Sequence, residues 1–396
     1  MKILVINTGS SSIKFALFQM PNGHELVSGL VEQIGEGIGA ISLEINGEKH
    51  SEKLEIPNHQ RGLTLVGTWL MNPKYHLISS PDEVHAIGHR VVHGGESFQE
   101  TTVINSEVKE KIKELFGLAP LHNPPNYEGI EVAEKVFAKA TQVAVFDTAF
   151  HQSLPPKAFH YALPKYLYAD YGVRVYGFHG TSHRYVARVS AQYLGIEPQK
   201  ANLITIHLGN GASMAAVKNG KSIDTSLGMT PLSGLVMGTR VGDVDPGVIF
   251  YLEEERGYSI QKVKNMLNRE SGMKGLAGDN DLRAITERVA NKEEEAQLAL
   301  DIYCYRIKKY IGAYIAAIGP IHAIVFTAGV GENSAIVRQM VCEEMTHLGI
   351  ELDQTKNTIR LDEIREVNVA DSRVKILVTP TNEELEIANQ TYQLLK

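Results

Sequence analysis

Lys2-Ile3-Leu4-Val5-Ile6-Asn7-Thr8-Gly9-Ser10-Ser11-Ser12-Ile13-Lys14 stands at the start of the chain and decides how the rest is read. Residues 3–6 are rich in β-branched side chains and predict a short buried strand. Residues 7–12 form a small polar turn with Gly9 inside it. Residues 13–18 are apolar again, so the chain is expected to double back as a second strand. A hairpin tip of Gly, Ser and Thr offers backbone N–H groups and hydroxyls and lets an anion approach closely. Ser10, Ser12 and Lys14 are its candidate phosphate contacts. Taken alone, the stretch is better read as an ordinary polar hairpin.

A second copy changes that reading. Leu203-Ile204-Thr205-Ile206-His207-Leu208-Gly209-Asn210-Gly211-Ala212-Ser213-Met214 repeats the pattern, with Ile206 at the place of Ile6, His207 of Asn7 and Gly209 of Gly9. Two strand–glycine turn–strand units so far apart imply two similar halves, and two facing hairpins would hold a polyphosphate. The usual phosphate loop G-x-x-x-x-G-K-[ST] is absent, and Gly35-Glu36-Gly37-Ile38-Gly39 lacks the dinucleotide spacing.

Length and composition set the bounds. The chain has 396 residues, too many for one simple core, and two domains are expected. A net charge of −7 without a basic block argues against a nucleic-acid platform. Cys304 and Cys342 make no disulfide framework. Asn7 and the serines interrupt any apolar leader, which points to the cytoplasm. Residues 310–330 carry no Asp, Glu, Lys or Arg. Gly319-Pro320 breaks them, so a buried helix ending at Ile318 and a strand over 323–326 are expected in place of a membrane span.

In chain order, strands alternate with turns to about residue 60, Asn46-Gly47 being a hairpin signal. A helix over 59–70, a strand over 84–92, a helix over 106–116 capped by Ser106, a helix over 126–138 and a strand over 143–146 complete an α/β domain. Residues 151–178 are expected to be an irregular crossing. A second domain follows, with helices over 182–194 and 297–318, strands over 323–327 and 376–378, and a last helix over 384–395. The boundaries drawn are 1–150 with about 384–396 for the first domain and 151–383 for the second.

Arg90 and Arg240 each lie beside glycines, in Arg90-Val91-Val92-His93-Gly94-Gly95 and Met237-Gly238-Thr239-Arg240-Val241-Gly242. Two fixed guanidinium groups suit a carboxylate or phosphoryl ligand. His85, His89 and His93 have tempting metal spacing, but the glycines and valines around them exclude a helix, and structural hydrogen bonding is expected instead. His179, in Phe178-His179-Gly180-Thr181-Ser182, precedes a helix start, where anions are favoured. Asp147 and Glu383 follow strand ends, where α/β sheets place ligands. Carboxylates near phosphates serve Mg²⁺, with Mn²⁺ a possible substitute; Glu383 is the candidate ligand, with Asn7 helping.

The opening resembles the acetate kinase family of the sugar kinase–actin–chaperone ATPase superfamily. So do His89-Arg90-Val91-Val92-His93-Gly94-Gly95, Phe178-His179-Gly180-Thr181-Ser182-His183, His207-Leu208-Gly209-Asn210-Gly211, Gly329-Val330-Gly331-Glu332-Asn333 and Pro380-Thr381-Asn382-Glu383-Glu384, in family order over almost the whole chain. The resemblance implies two duplicated ribonuclease-H-like, actin-like ATPase domains of α/β class with an interdomain cleft, the last helix packing back on the first. It implies ATP and acetate as substrates, ADP and acetyl phosphate as products, and a homodimer through the second domain.

For the residues, it implies that Arg90 binds the substrate carboxylate, and that Arg240 and His179 stabilise the transferring phosphoryl group. His207, Leu208, Gly209, Asn210 and Gly211 would contact phosphates. Asp281, Leu282 and Arg283 with Gly329, Val330, Gly331, Glu332 and Asn333 would surround adenosine, although 281–283 read equally well as a helix cap. Val92, Leu121, Phe178 and Pro231 would enclose the methyl group, and a valine at 92 favours acetate over propionate. Asp147 is often cast as the acid–base residue of the family. A carboxylate substrate has already lost its proton at neutral pH, so metal-water or donor positioning is the role expected here. The nearest rival is a propionate or butyrate kinase of the same family and mechanism; the reading from another class is a non-catalytic nucleotide-dependent scaffold, which has no need of a carboxylate clamp.

Overall fold

Short, nearly continuous apolar runs, buried on both faces, form the central strands of two sheets. The computed structural model describes residues 1–396, and the chain divides into two compact units, Met1–Gln152 with Asn382–Lys396, and Ser153–Thr381. No helix is long and apolar enough to cross a membrane.

The first unit holds β1 (Lys2–Thr8), β2 (Ser12–Gln19), β3 (His24–Glu32), β4 (Ile38–Ile45), β5 (Glu48–Glu55), β6 (Ala86–Val91), β7 (Thr102–Val103) and β8 (Thr141–Phe146) in the order β5-β4-β3-β2-β1-β6-β8-β7. β1 pairs antiparallel with β2 and parallel with β6, which pairs parallel with β8. Successive residues of β1 serve opposite faces, as strand geometry requires. Leu4 and Ile6 join Leu63 and Val66 of the helix His59–Leu70 and Val132 of the helix Asn123–Val136. Ile3 and Val5 join Ile387 and Ala388 of the helix Glu383–Leu395. Gly88 permits that last contact: a Cβ there would lie 2.6 Å from Ile387 Cγ2.

The second unit repeats the plan with β9 (Leu203–Leu208), β10 (Ala212–Lys218), β11 (Lys221–Thr225), β12 (Ala323–Thr327), β13 (Arg365–Glu366) and β14 (Lys375–Val378), ordered β11-β10-β9-β12-β14-β13. Its core β11-β10-β9-β12-β14 matches β3-β2-β1-β6-β8 strand for strand, antiparallel on one side of the central strand and parallel on the other. The helix Glu294–Ile318 buries Leu300, Tyr303, Ile307, Ile311, Tyr314 and Ile318 at helical spacing and stops at Gly319, whose φ is 89°.

Several local expectations are corrected. Asn105, not Ser106, caps the helix Ser106–Glu114, its side chain accepting the Val108 N–H. The glycine-rich segment after β12 is a short helix, Ala328–Asn333, rather than a turn. The stretch expected to be irregular contains the helices Pro156–Phe159 and Lys165–Tyr171.

Candidate functional site

Each unit carries its polar constellation where the parallel strands end. In the first unit, β1 delivers Asn7, β6 Arg90 and the turn after β8 Asp147. The Asn382 side chain caps the last helix by accepting the Leu385 N–H at 2.8 Å, which sets Glu383 in the first turn. Arg90 is the hub. Its Nη2 donates to Asp147 Oδ2 in a very short contact, and its Nη1 donates to Asn7 Oδ1 at 3.3 Å. Glu383 Oε2 lies 3.9 Å from Nε, which has no hydrogen-bond partner. Desolvation opposes the charge on Arg90, but Asp147 and Glu383 hold its guanidinium above its ordinary value.

Glu383 pays the opposite way. Burial pushes its carboxyl up to about 7, with Arg90 pulling it down and Asp147 and Glu384 pushing it further up. With burial, Asp147 and Glu384 all opposing a charge on Glu383, the site is short of positive charge, and Asn7 adds an amide oxygen. No cluster of three His, Cys, Asp or Glu forms a closed metal cage. Two carboxylates and an amide oxygen instead fit a hard divalent cation that keeps waters and takes phosphate oxygens.

Lys14 is drawn to Glu384, with Nζ 2.7 Å from Oε1, instead of pointing free into the loop. Ser10 is exposed at the hairpin tip, Ser12 half-buried, and the tip is closed by Gly9 N–H donating to Ser12 O at 2.8 Å. The three histidines at 85, 89 and 93 do not converge. His85 Nδ1 accepts the Lys2 N–H, His89 Nε2 meets Gln142 Oε1 at 2.8 Å, and His93 Nδ1 accepts the Gly95 N–H. Val92 is buried, whereas Leu121 is 64% exposed, which counts against it as a pocket wall.

In the second unit the β9–β10 loop is closed by Gly209 N–H donating to Gly211 O at 2.9 Å. A Cβ on Gly211 would lie 3.0 Å from Arg240 Nη2 and 3.4 Å from His179 Nε2, so both donors meet over this loop. Arg240 is held by its Nη1 donating to Pro231 O at 2.5 Å, and burial lowers its basicity. His179 precedes the helix Gly180–Tyr193 at φ 54°, a left-handed conformation uncommon for a residue with a side chain. Its ring stacks on His207 with centroids 4.4 Å apart, and Phe178 beside it is buried.

Beside this loop lies a cavity of about 990 Å³. Gly209, Asn210, Asp281, Leu282, Arg283, Gly329, Val330 and Asn333 line it. The structure thus brings half of the expected nucleotide residues together on this wall, and His207, Gly211, Gly331, Ser10, Ser12 and Lys14 do not line it. Leu208 is fully buried in the core. The Glu332 carboxylate accepts the Thr381 N–H. Asp281 does cap the helix Leu282–Ala290, and Arg283 holds its carboxyl down at about 2.

Sequence reasoning missed Arg338, also on the cavity wall and 1% exposed. Its guanidinium donates to Gly331 O (2.8 Å), Glu332 O (3.0 Å), Asn357 Oδ1 (2.7 Å) and Asn357 O (2.7 Å). A lone arginine within Ala335-Ile336-Val337-Arg338-Gln339-Met340 was the only signal.

This arrangement has relatives. The Acetokinase family profile matches residues 2–389. The chain belongs to the acetokinase family. It is 52% identical over 396 residues to an acetate kinase of Flavobacterium johnsoniae, covering 100% of both chains. Among solved structures it resembles Porphyromonas gingivalis acetate kinase, with TM-score 0.95, 45% identity and all of both chains covered. It also resembles a Francisella tularensis propionate kinase, with TM-score 0.92, 42% identity and 98% of each chain covered. The resemblance first carried by short motifs thus extends over the whole acetokinase chain.

Proposed function

We propose that this acetokinase-family protein reversibly transfers a phosphoryl group from ATP to acetate, giving ADP and acetyl phosphate. The observation that carries the reading is the convergence of His179 and Arg240 on Gly211, at the edge of a cavity large enough for a nucleotide. Such transfer needs little covalent chemistry from the protein and depends on positioning and charge. Arg240 and His179 donate to the equatorial oxygens of the transferring group. The loop at Gly209–Gly211 and the cavity walls orient the nucleotide. Arg90 binds and orients the acceptor carboxylate, which attacks as the anion and needs no base.

Asn7, Asp147 and Glu383 would hold Mg²⁺, and Asp147 acts there and on Arg90 rather than as a proton acceptor. When bound, Mg²⁺ neutralises charge on the phosphate oxygens. The homodimer is proposed through the second unit: the helix Gly247–Glu254 buries none of its residues, and Phe250 and Tyr251 are 57% and 47% exposed. Sedimentation at micromolar concentration checks this, and a monomer refutes it.

The test of function is ADP release from MgATP with acetate, propionate, butyrate or glycerol as acceptor. Acetate should be preferred. Propionate should react more slowly, since one methylene is worth only ~1–3 kcal/mol. Preference for a longer acid would keep the mechanism and overturn the pocket argument, and ATP turnover independent of acid would refute the kinase reading.

A further inference from the structure

Behind the His179–Arg240 site lies a chain of buried hydrogen bonds that none of the roles above uses. Thr205 and His207 are two apart on β9 and share a face, and Ser213 is the partner of His207 across the β9–β10 pair. The first turns of the helix Gly180–Tyr193 lie over this face. His183 Nδ1 meets Thr205 Oγ1 at 2.7 Å, His183 Nε2 meets Ser213 Oγ at 2.8 Å, and Ser213 Oγ meets His179 Nδ1 at 2.8 Å. Thr205, His183 and Ser213 are each 0% exposed.

Such a chain can run in two directions, because a neutral imidazole has one donor and one acceptor and a hydroxyl has one proton. If His183 donated to Thr205, the Thr205 proton would need another acceptor, and the only side-chain hydrogen bond of Thr205 is the one to His183. A buried donor without a partner costs about 1–3 kcal/mol. In the other direction every proton is used. Thr205 donates to His183 Nδ1, His183 Nε2–H donates to Ser213, and Ser213 donates to His179 Nδ1. The neighbouring chain is not fixed this way. Ser182 Oγ joins His207 Nδ1 to Thr381 Oγ1, and Thr381 is half-buried, so water can serve its proton in either direction.

We infer that Thr205, acting through His183 and Ser213, locks His179 in the neutral tautomer that carries its proton on Nε2. The nitrogen that faces Gly211 and Arg240 is then a ready donor, already oriented before the phosphoryl group arrives. Thr205, His183 and Ser213 are positioning residues. Their effect on turnover rests on the phosphoryl-transfer reading, while the tautomer does not.

The first measurement is a nitrogen-15 spectrum of histidine-labelled protein without substrates at mildly alkaline pH, with the His179 signals assigned by their loss in His179→Gln. A bare Nδ1 and a protonated Nε2 are expected; a protonated Nδ1 overturns the inference. Thr205→Val keeps the shape and removes the proton that sets the direction. It should give mixed His179 tautomers and lower kcat about tenfold, the worth of roughly one hydrogen bond, with KM for ATP and acetate unchanged. Thr205→Ser should restore both. Wild-type tautomer and kcat in a folded Thr205→Val protein overturn the inference. Should Thr205→Val not fold, the wild-type spectrum and Thr205→Ser decide. A protein with the expected tautomer that does not phosphorylate acetate would refute the function and leave the tautomer standing.

Discussion

Replacing Glu383 by glutamine should stabilise the metal-free protein at mildly alkaline pH. The fold raises this carboxyl from 4.5 to about 7, so ionised Glu383 is held at a cost. The difference corresponds to about 3 kcal/mol as an upper bound. The side chain keeps 23% of its exposure and Arg90 loses a partner in the variant, so a gain of ~1–2 kcal/mol is the working figure. The sign follows from proton counting. Between 4.5 and about 7 the folded state binds a proton that the unfolded state does not, so stability falls as pH rises through that window. Above it the cost is complete, and below 4.5 it vanishes.

Urea unfolding in chelator reads this out, at about pH 8 and about pH 5, on either side of most of the window. Trp69, the single tryptophan, packs against the core of the first unit, so its fluorescence follows the unit that carries Glu383. Glu383→Gln should be the more stable protein at the higher pH and nearly equal to wild type at the lower. Mg²⁺ with ADP should stabilise wild type more than the variant. A variant less stable than wild type at the higher pH, or a gain that does not change with pH, refutes the reasoning.

Other outcomes follow from single contacts. Arg90→Lys keeps the charge but loses the planar fork that reaches Asn7 and Asp147, and kcat/KM for acetate should fall about a hundredfold while ADP binding, measured by calorimetry, holds. Arg338→Met removes the donors to Gly331 O and Glu332 O, so KM for ATP should rise about tenfold with kcat little changed, alongside a stability loss of about 2–3 kcal/mol by thermal unfolding. Gly88→Ala sets a methyl group 2.6 Å from Ile387 Cγ2 and should cost ~1–3 kcal/mol in urea unfolding, more than an alanine at an exposed glycine with open space around it such as Gly117.

The duplication was legible because a strand ending in a glycine turn leaves a local signature, and the two hairpins recur as β1–β2 and β9–β10. The ends of the parallel strands were legible as well, from the glycines after β1 and β6 and from the short apolar run of β8, and with them Asn7, Arg90 and Asp147. Long-range partners were not. Nothing near Lys14 tells that it meets Glu384, 370 positions later. The segment Gly329–Asn333 has poor intrinsic helix propensity, and Arg338 bonds to its carbonyl groups in the folded chain. Leu121 has the apolar character of a pocket wall, and only the fold shows it exposed.

The helix Glu383–Leu395 closes a unit whose other residues end at Gln152. Synthesis runs in one direction, so the ribosome must make all of Ser153–Thr381 before the first unit can be finished. Until then the face of its sheet formed by Ile3, Val5, Ala16 and Phe18 lacks the cover of Ile387 and Ala388. A nascent chain thus carries a sticky surface for most of its translation, a natural substrate for chaperones. Glu383 arrives with the same helix, so a chain stopped short of it lacks both the cover of that face and the carboxylate beside Arg90.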